Sequence, residues 1–428
     1  MLQDQDKVER ALIVKAIIKG REGAEGEDPL AEIMALTESA GGTVAGHLTQ
    51  KIVRPNAATY LGKGKVEEMA HLAGELDVDV VITDNDLNPA QERNLEELTG
   101  RKVVDRSQLI MDIFSQRART AQAKLQVELA QLRYTFPRLK RMWTHLSRFE
   151  GGIGMRGPGE TQLEEDKRII ERRIQKLEKA LERLEERKET ALVHRRGEFV
   201  VSLVGYTNTG KSTLLNKLTG AHELVADKLF ATLDTRVRRW HLEANSHVLL
   251  TDTVGFIRNL PHHLVASFHA TLAETRNANL LLHVVDASSP EAFQQMKTVR
   301  EVLQALECDR KETWCIFNKW DAIPPDRLVE ARHLSTKLPN GEQGFQVSAL
   351  EGTGLEELRK AVLERVRKET QEVEIRVPHS RSDVVAFVVE HGRVLEKEYS
   401  SGDVRIRAAL TPARLGKLRS LFPEGFSN

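Results

Sequence analysis

Apolar and polar positions follow different rhythms along the chain, and each change of rhythm marks a change of architecture. Up to about residue 112, short apolar runs alternate with stretches of helical period. Ala11–Ile18, Val78–Thr83 and Val103-Val104 predict strands, and Lys65–Leu76 and Pro89–Thr99 predict helices. Strands alternating with helices predict a small α/β domain on a mainly parallel sheet. From 115 to about 190 the rhythm becomes heptad-like. Leu125, Leu129, Leu132, Phe136, Leu139, Trp143 and Leu146 recur in steps of four and three, and so do Ile170, Ile174, Leu177, Leu181 and Leu184. Two helices with such stripes bury them against each other. Pro137 lies inside the first stripe and should kink or interrupt that helix. Beyond 197, short apolar runs alternate with helical patterns again. In the last stretch, Val373–Val377, Val394–Lys397 and Val404–Ala408 predict strands, while Ser382–Glu390 and Pro412–Leu421 predict helices.

The candidate chemistry sits where apolar runs end. Phe199–Val204 runs into Gly205-Tyr206-Thr207-Asn208-Thr209-Gly210-Lys211-Ser212, and Thr213 leads on into an apolar-periodic helix. This fits the phosphate-loop pattern G-x-x-x-x-G-K-S/T in the strand–loop–helix setting it requires. Such a loop turns backbone N–H groups inward, and the helix N-terminus favours anions. Lys211 can reach β- and γ-phosphates, and Ser212 can ligate Mg²⁺. Asp252-Thr253-Val254-Gly255 follows the run His247–Thr251. Asp252 suits the Mg²⁺ shell, and the Gly255 N–H can meet a γ-phosphate. Asn318-Lys319-Trp320-Asp321 follows Cys315–Phe317. A carboxylate there accepts from guanine N1–H and its exocyclic amine; adenine would leave it unpaired. Ser348-Ala349-Leu350 ends another strand and can offer backbone N–H to guanine O6. In Phe230-Ala231-Thr232-Leu233-Asp234, Thr232 is the candidate switch threonine for Mg²⁺ and γ-phosphate. Lys211, Thr232 and Gly255 are the candidate catalytic groups.

Taken in order, these motifs predict a multidomain α/β protein. An N-terminal α/β domain (1–112) precedes a long helical hairpin arm (113–196), a P-loop GTPase domain (197–369) and a small C-terminal α+β domain (370–428). Nothing in the last suggests chemistry.

Composition narrows the partners. The chain has 428 residues, with 63 Lys or Arg balancing 63 Asp or Glu. Nucleic-acid affinity would therefore come from local patches. One exists. From Gln116 to Glu160, nine Lys or Arg face three Glu, a net charge of +6. This stretch overlaps Gly151–Gln162, which includes Gly152, Gly154, Arg156, Gly157 and Gly159. That connection is longer than a helical hairpin needs, and its glycines allow close backbone approach. It either closes the hairpin as a floppy tip or probes RNA, and composition and charge favour RNA. Gly62-Lys63-Gly64-Lys65 can hold a phosphate but lacks the rest of a phosphate loop; an ordinary turn is the better reading. Cys308 and Cys315 match no common zinc spacing and are expected to be packing residues. No apolar run is long enough to span a membrane, and the N-terminus lacks the apolar core of a signal peptide. A monomer in a reducing cytoplasm is expected.

The sequence resembles the HflX family of translational GTPases over its whole length. The residues that carry the resemblance are TYLGKGKV (59–66), KLQVELAQLRY (124–134), GGIGMRGPGETQLE (151–164), GYTNTGKSTL (205–214), LFATLD (229–234), DTVGFIRNLP (252–261), NKWD (318–321) and SALEGTG (348–354). The resemblance implies a cytoplasmic GTPase that hydrolyses GTP to GDP and phosphate, binds the large ribosomal subunit, and splits or rescues stalled ribosomes. It implies that the arm reaches toward the peptidyl-transferase centre. One departure is visible: the family commonly continues FATLD with Pro-Thr, whereas Thr235-Arg236 follow here.

Two residues bear on mechanism. Phe256 stands where many regulatory GTPases place a water-orienting glutamine. A phenyl ring cannot orient water by hydrogen bonding, so hydrolysis by the free protein should be slow. Asn208 resembles the asparagine of GTPases that bind K⁺ beside the phosphates; equally, Asn suits a tight turn. The alternatives to a ribosome-acting GTPase are a signalling switch that docks a protein through its arm, a ribosome-assembly factor, and a binding module without turnover.

Overall fold

The N-terminal strands β1 (Arg10–Ile18), β2 (Thr43–Ile52), β3 (Val80–Thr83) and β4 (Lys102–Asp105) pair in the order β2-β1-β3-β4, all parallel. Parallel neighbours need crossovers. Helices α1 (Ala31–Ser39), α2 (Lys63–Glu75) and α3 (Pro89–Thr99) supply them. The boundaries of α3 follow from its sequence: Asn88 and Gln91 form a reciprocal capping box, and Gly100 closes it in the left-handed conformation. Gly62 is the N-cap of α2, so Lys63, Gly64 and Lys65 are its first turn. Leu12, Val14, Met69, Val81, Leu95 and Val103 form the core of this layer. The computed structural model describes residues 8–20, 28–139, 158–194, 198–221, 229–230, 236–243, 246–258, 275–336, 338, 342–400 and 402–426.

Helix α4 (Arg106–Arg117) leaves β4 directly, with the Asp105 carboxylate capping Gln108 N–H. Helix α5 (Ala121–Thr135) follows, and Pro137 falls in a single 3-10 turn, Phe136–Arg138. The interruption predicted at Pro137 is thus present. The long helix α6 runs Pro158–His194. Leu129 packs on Leu177 and Leu181, with Leu125, Leu132 and Ile174 around them. Ion pairs Arg133–Glu178 (2.7 Å) and Arg173–Glu128 (2.6 Å) flank this seam. One expectation needs correcting. Helix α6 begins at Pro158, so Gly159 and the rest of the stretch to Gln162 are helical, not loop. Proline suits the first helical turn because its missing N–H needs no partner there. Gly152, Gly154, Arg156 and Gly157 lie outside the described residues.

The second sheet has the order β10-β9-β8-β5-β7-β6. Its strands are β5 (Val200–Gly205), β6 (Arg236–Glu243), β7 (Ser246–Asp252), β8 (Leu280–Asp286), β9 (Thr313–Asn318) and β10 (Gly344–Gln346). All pairings are parallel except β6 with β7. Helices cover it on both faces, so its central strands are apolar almost throughout. Val201, Leu203, Leu280, Leu282, Val284 and Ile316 are fully buried. A third sheet, β11 (Gln371–Pro378), β12 (Arg393–Tyr399) and β13 (Asp403–Leu410), is antiparallel in the order β11-β13-β12. Helices Ser382–His391 and Pro412–Leu421 pack on one face of it.

The contacts divide the chain into two compact units. The first holds residues 1–184 with 226–234 and 258–270, and the second holds the rest. In the first unit the Phe230 ring packs edge-on against Phe114 at 4.6 Å, and Leu229 N–H donates to Ser39 Oγ (3.1 Å). The phenyl of Phe230, in the segment expected to form a switch, is 2% exposed. In the same unit Arg106 pairs with Asp84 (2.5 Å) and donates to the Arg258 carbonyl (2.8 Å).

Candidate functional site

The strand β5 ends at the centre of the second sheet, where the phosphate-loop sequence begins. Gly210 is the N-cap of the following helix, Lys211–Thr219, and has a left-handed backbone with φ 86°. A Cβ there would collide with the Asn318 side-chain amide. Glycine at 210 therefore keeps both the turn and its closeness to the Asn318 loop. Asn208 is exposed, with φ 60°. Asparagine tolerates that region better than most residues, which satisfies the tight-turn reading by itself. Lys211 is buried, and its Nζ donates to the carbonyls of Gly205 (3.2 Å) and Tyr206 (2.5 Å). Burial lowers its pKa to about 8, against a raising effect from Asp252 and a lowering one from Lys319.

Asp252, at the end of β7, is fully buried, and Ser212 Oγ donates to its Oδ2 at 2.7 Å. A hydroxyl and a carboxylate are thus already together at the mouth of the loop. Their oxygens are hard donors suited to Mg²⁺, which prefers few protein ligands beside phosphate and water. The fit is good: the pair lies beside an anion-seeking helix end and a buried ammonium. Thr253 Oγ1 ties back to the Leu203 carbonyl (2.7 Å). Gly255 has no room for a side chain, because a Cβ would stand 2.8 Å from Thr207 Cα and 3.1 Å from Lys211 Nζ. Val254 is buried beside it.

Phe256 is 2% exposed. Its backbone bridges Tyr206: Thr207 N–H donates to the Phe256 carbonyl (2.8 Å), and Phe256 N–H donates to Gly205 O (3.1 Å). The phenyl is a core side chain, and these backbone bonds zip the segment onto the phosphate loop. That explains the residue type independently of any role in hydrolysis.

The loops expected to read the base are cross-tied. Asn318 Nδ2 donates to the Thr209 carbonyl (2.8 Å), and its Oδ1 accepts from Ala349 N–H (2.9 Å). Thr209 Oγ1 closes the loop onto Tyr206 O (3.1 Å). Ser348 N–H is engaged by Thr353 O, so of the three N–H groups expected for guanine O6 the described bonds leave that of Leu350. Trp320 packs against the cluster containing Val285 and Phe317. The Asp321 carboxylate is exposed and has no hydrogen-bond or ion-pair partner among the described residues. Asp286 was not anticipated: it pairs with Lys319 (2.7 Å) and accepts from Ser288 Oγ (2.6 Å). Its signal was the one acid closing the apolar run LLLHVVD. Ala231, Thr232, Leu233 and Asp234 lie outside the described residues. Exposure separates two substitutions. Asp321→Asn should weaken GTP binding in calorimetry and leave the melting temperature unchanged. Asn318→Ala should lower both, because two buried groups lose partners at about 1–3 kcal/mol each. Equal GTP affinity in Asp321→Asn and parent would remove Asp321 from base recognition.

Three family models match in succession: "GTP-binding GTPase N-terminal" over 27–115, "GTP-binding GTPase Middle Region" over 117–195 and "50S ribosome-binding GTPase" over 200–319. The GTPase HflX of Caldanaerobacter subterraneus subsp. tengcongensis is 42% identical over 415 residues, covering 96% of this chain and 93% of the relative. The chain belongs to the HflX family of GTPases. The GTPase HflX of Escherichia coli K12 is 43% identical over 378 residues, 88% of each chain. A solved structure, SsGBP in complex with GDP, is 27% identical over 84% of this chain and 98% of its own, with a TM-score of 0.48. As an HflX-family member the protein is a GTP-binding protein and a GTP hydrolase. No described helix is long and apolar enough to cross a membrane.

Proposed function

We propose that this HflX-family GTPase binds the large ribosomal subunit in the cytoplasm as a monomer and splits or rescues stalled ribosomes. The observation that carries the reading is the match of residues 200–319 to the family model described as a 50S ribosome-binding GTPase. Two further features support it. The arm is a braced helical pair, and the segment leading to its tip has a net charge of +6. Backbone phosphates are what such a charge meets best.

The roles proposed for the site rest on its motifs, and the geometry of the described residues supports them. Lys211 exchanges its bonds to the Gly205 and Tyr206 carbonyls for β- and γ-phosphate oxygens. Gly205 to Thr213 wrap the phosphates through backbone N–H groups. Ser212 and Thr232 would hold Mg²⁺, with Asp252 accepting from the Ser212 hydroxyl and orienting it. Bound Mg²⁺ supplies charge neutralisation across the phosphates. The Gly255 N–H meets the γ-phosphate. Asp321 reads guanine, and Lys319 is held over the base by Asp286. Sucrose-gradient co-sedimentation with ribosomal subunits, comparing GDP with a non-hydrolysable GTP analogue, tests the reading. Association with the large subunit that depends on the analogue is expected; none in either state overturns it. A signalling switch that docks a protein through its arm would instead show partner binding with little salt dependence.

Hydrolysis by the free protein should be slow, because Phe256 is committed to the core. It should rise when large subunits are added. If exposed Asn208 coordinates K⁺, the rate should be higher in K⁺ than in Na⁺. Equal rates in both salts, with Asn208→Ala also neutral, would leave Asn208 as a turn residue alone.

A further inference from the structure

Away from the nucleotide, helices α3, α4 and α5 enclose a groove of about 620 Å³ within the first unit. Each helix turns one face into it. Glu92, Arg93 and Glu96 come from α3, spaced so that they share a side. Gln108, Met111 and Asp112 come from α4 in the same way. Gln131, Tyr134 and Thr135 on α5, with Arg138 just beyond it, close the third wall. The volume lies within the range of small-molecule sites.

The charges in the groove are not balanced. Arg138 is fully committed: it pairs with Glu92 (3.1 Å) and Asp105 (3.3 Å), donates to the carbonyls of Leu87 and Tyr134, and stacks 3.4 Å from the Tyr134 ring. Arg93 pairs with Glu97 (3.5 Å). Among the described residues, Glu96 accepts from the backbone N–H of Val103 alone (3.2 Å). No cation stands within ion-pair distance of Glu96 or Asp112 among the described residues. Burial raises the pKa of both carboxyls; the Val103 N–H bond and then Lys102 oppose this at Glu96, and Lys102 opposes it at Asp112. Two partly desolvated acids therefore face a cavity that also offers amide and hydroxyl acceptors and apolar surface from Met111. The described carboxylates form no metal-holding cluster. A cationic ligand with more than one ammonium group and an apolar linker would pair with both acids and cover Met111.

We propose that this groove binds a linear aliphatic polyamine, with its ammonium groups taken by Glu96 and Asp112 and its methylenes lying along Met111. The amide oxygens of Gln108 and Gln131 and the Thr135 hydroxyl accept the remaining N–H donors. Calorimetric titration of the full chain, free of nucleotide, with spermine tests this. Saturable binding is expected, weakened by about tenfold or more in Glu96→Gln/Asp112→Asn. The control Glu67→Gln/Glu68→Gln, which removes equal charge from exposed positions on α2, should bind as the parent does. Each single isostere gives the same comparison if the pair does not fold. Absence of saturable binding in the parent overturns the proposal. So does equal affinity in parent and groove variants, or an equal loss in the α2 control, which would mark a diffuse charge effect only.

Discussion

Lys211→Met should abolish nucleotide binding yet leave the empty protein at least as stable as the parent. Burial drives the Lys211 pKa from 10.5 to about 8. That shift sets the ammonium at a disadvantage of about 3 kcal/mol in the empty fold at neutral pH. Its bonds to the Gly205 and Tyr206 carbonyls offset part of this. Phosphate oxygens would reverse the balance by supplying negative charge, which is why the loss in affinity should be large, on the order of 100-fold or more. The sign with pH follows. The lysine is charged in both folded and unfolded states below about pH 8, so the disadvantage is complete there. It fades as pH rises from about 8 to 10.5, where the group is neutral in both. Scanning calorimetry without nucleotide should show the variant's advantage at pH 7 shrinking toward pH 10. Unchanged GTP affinity or hydrolysis would mean that this loop does not hold the phosphates.

Removing the arm tip should separate ribosome action from nucleotide chemistry. Helix α6 starts at Pro158, so the excision that spares the hairpin is 151–157, replaced by a short Gly-Ser turn. The packed seam of Leu129, Leu177 and Leu181 is remote in sequence from this cut and should hold the arm together. GTP hydrolysis by the free protein should then stay near the parent rate, because the described phosphate and base groups come from other segments. The splitting or rescue activity proposed above should be lost. Arg156→Ala alone should cost less, since one exposed phosphate contact supplies only part of a polyelectrolyte interface. A tip-deleted protein that splits ribosomes like the parent would leave the tip as a connection only.

The site motifs were legible because their chemistry is local. Gly210, Lys211, Ser212 and Asp252 follow from spacing, and the structure brings them together on adjacent strands and one helix start. What the sequence concealed depended on tertiary neighbours. Strand β2, TVAGHLTQKI, is an edge strand with mixed polarity, so alternation alone did not mark it. Phe256 offered two meanings, a missing catalytic group or a core residue, and only its burial decides that it is at least the second. The packing of the Phe230 ring on Phe114, far away in sequence, carried no sequence signal. Gly159 looked like loop because glycine disfavours helix, yet Pro158 starts one there. Asp286 carried no motif at all; its meaning lies in the lysine it meets.

The contrast between Asn318 and Asp321 bears on redesign. Asn318 braces two loops through buried bonds, so changing it dismantles the pocket. Asp321 is exposed and braces nothing described. Its identity is therefore free to vary without structural damage. Asparagine at that position presents an N–H donor where guanine has its amine but xanthine has a carbonyl. Asp321→Asn should thus move preference from GTP toward xanthosine triphosphate. Such a protein would answer to a nucleotide that other GTPases in the same extract ignore, giving a private chemical switch for its activity.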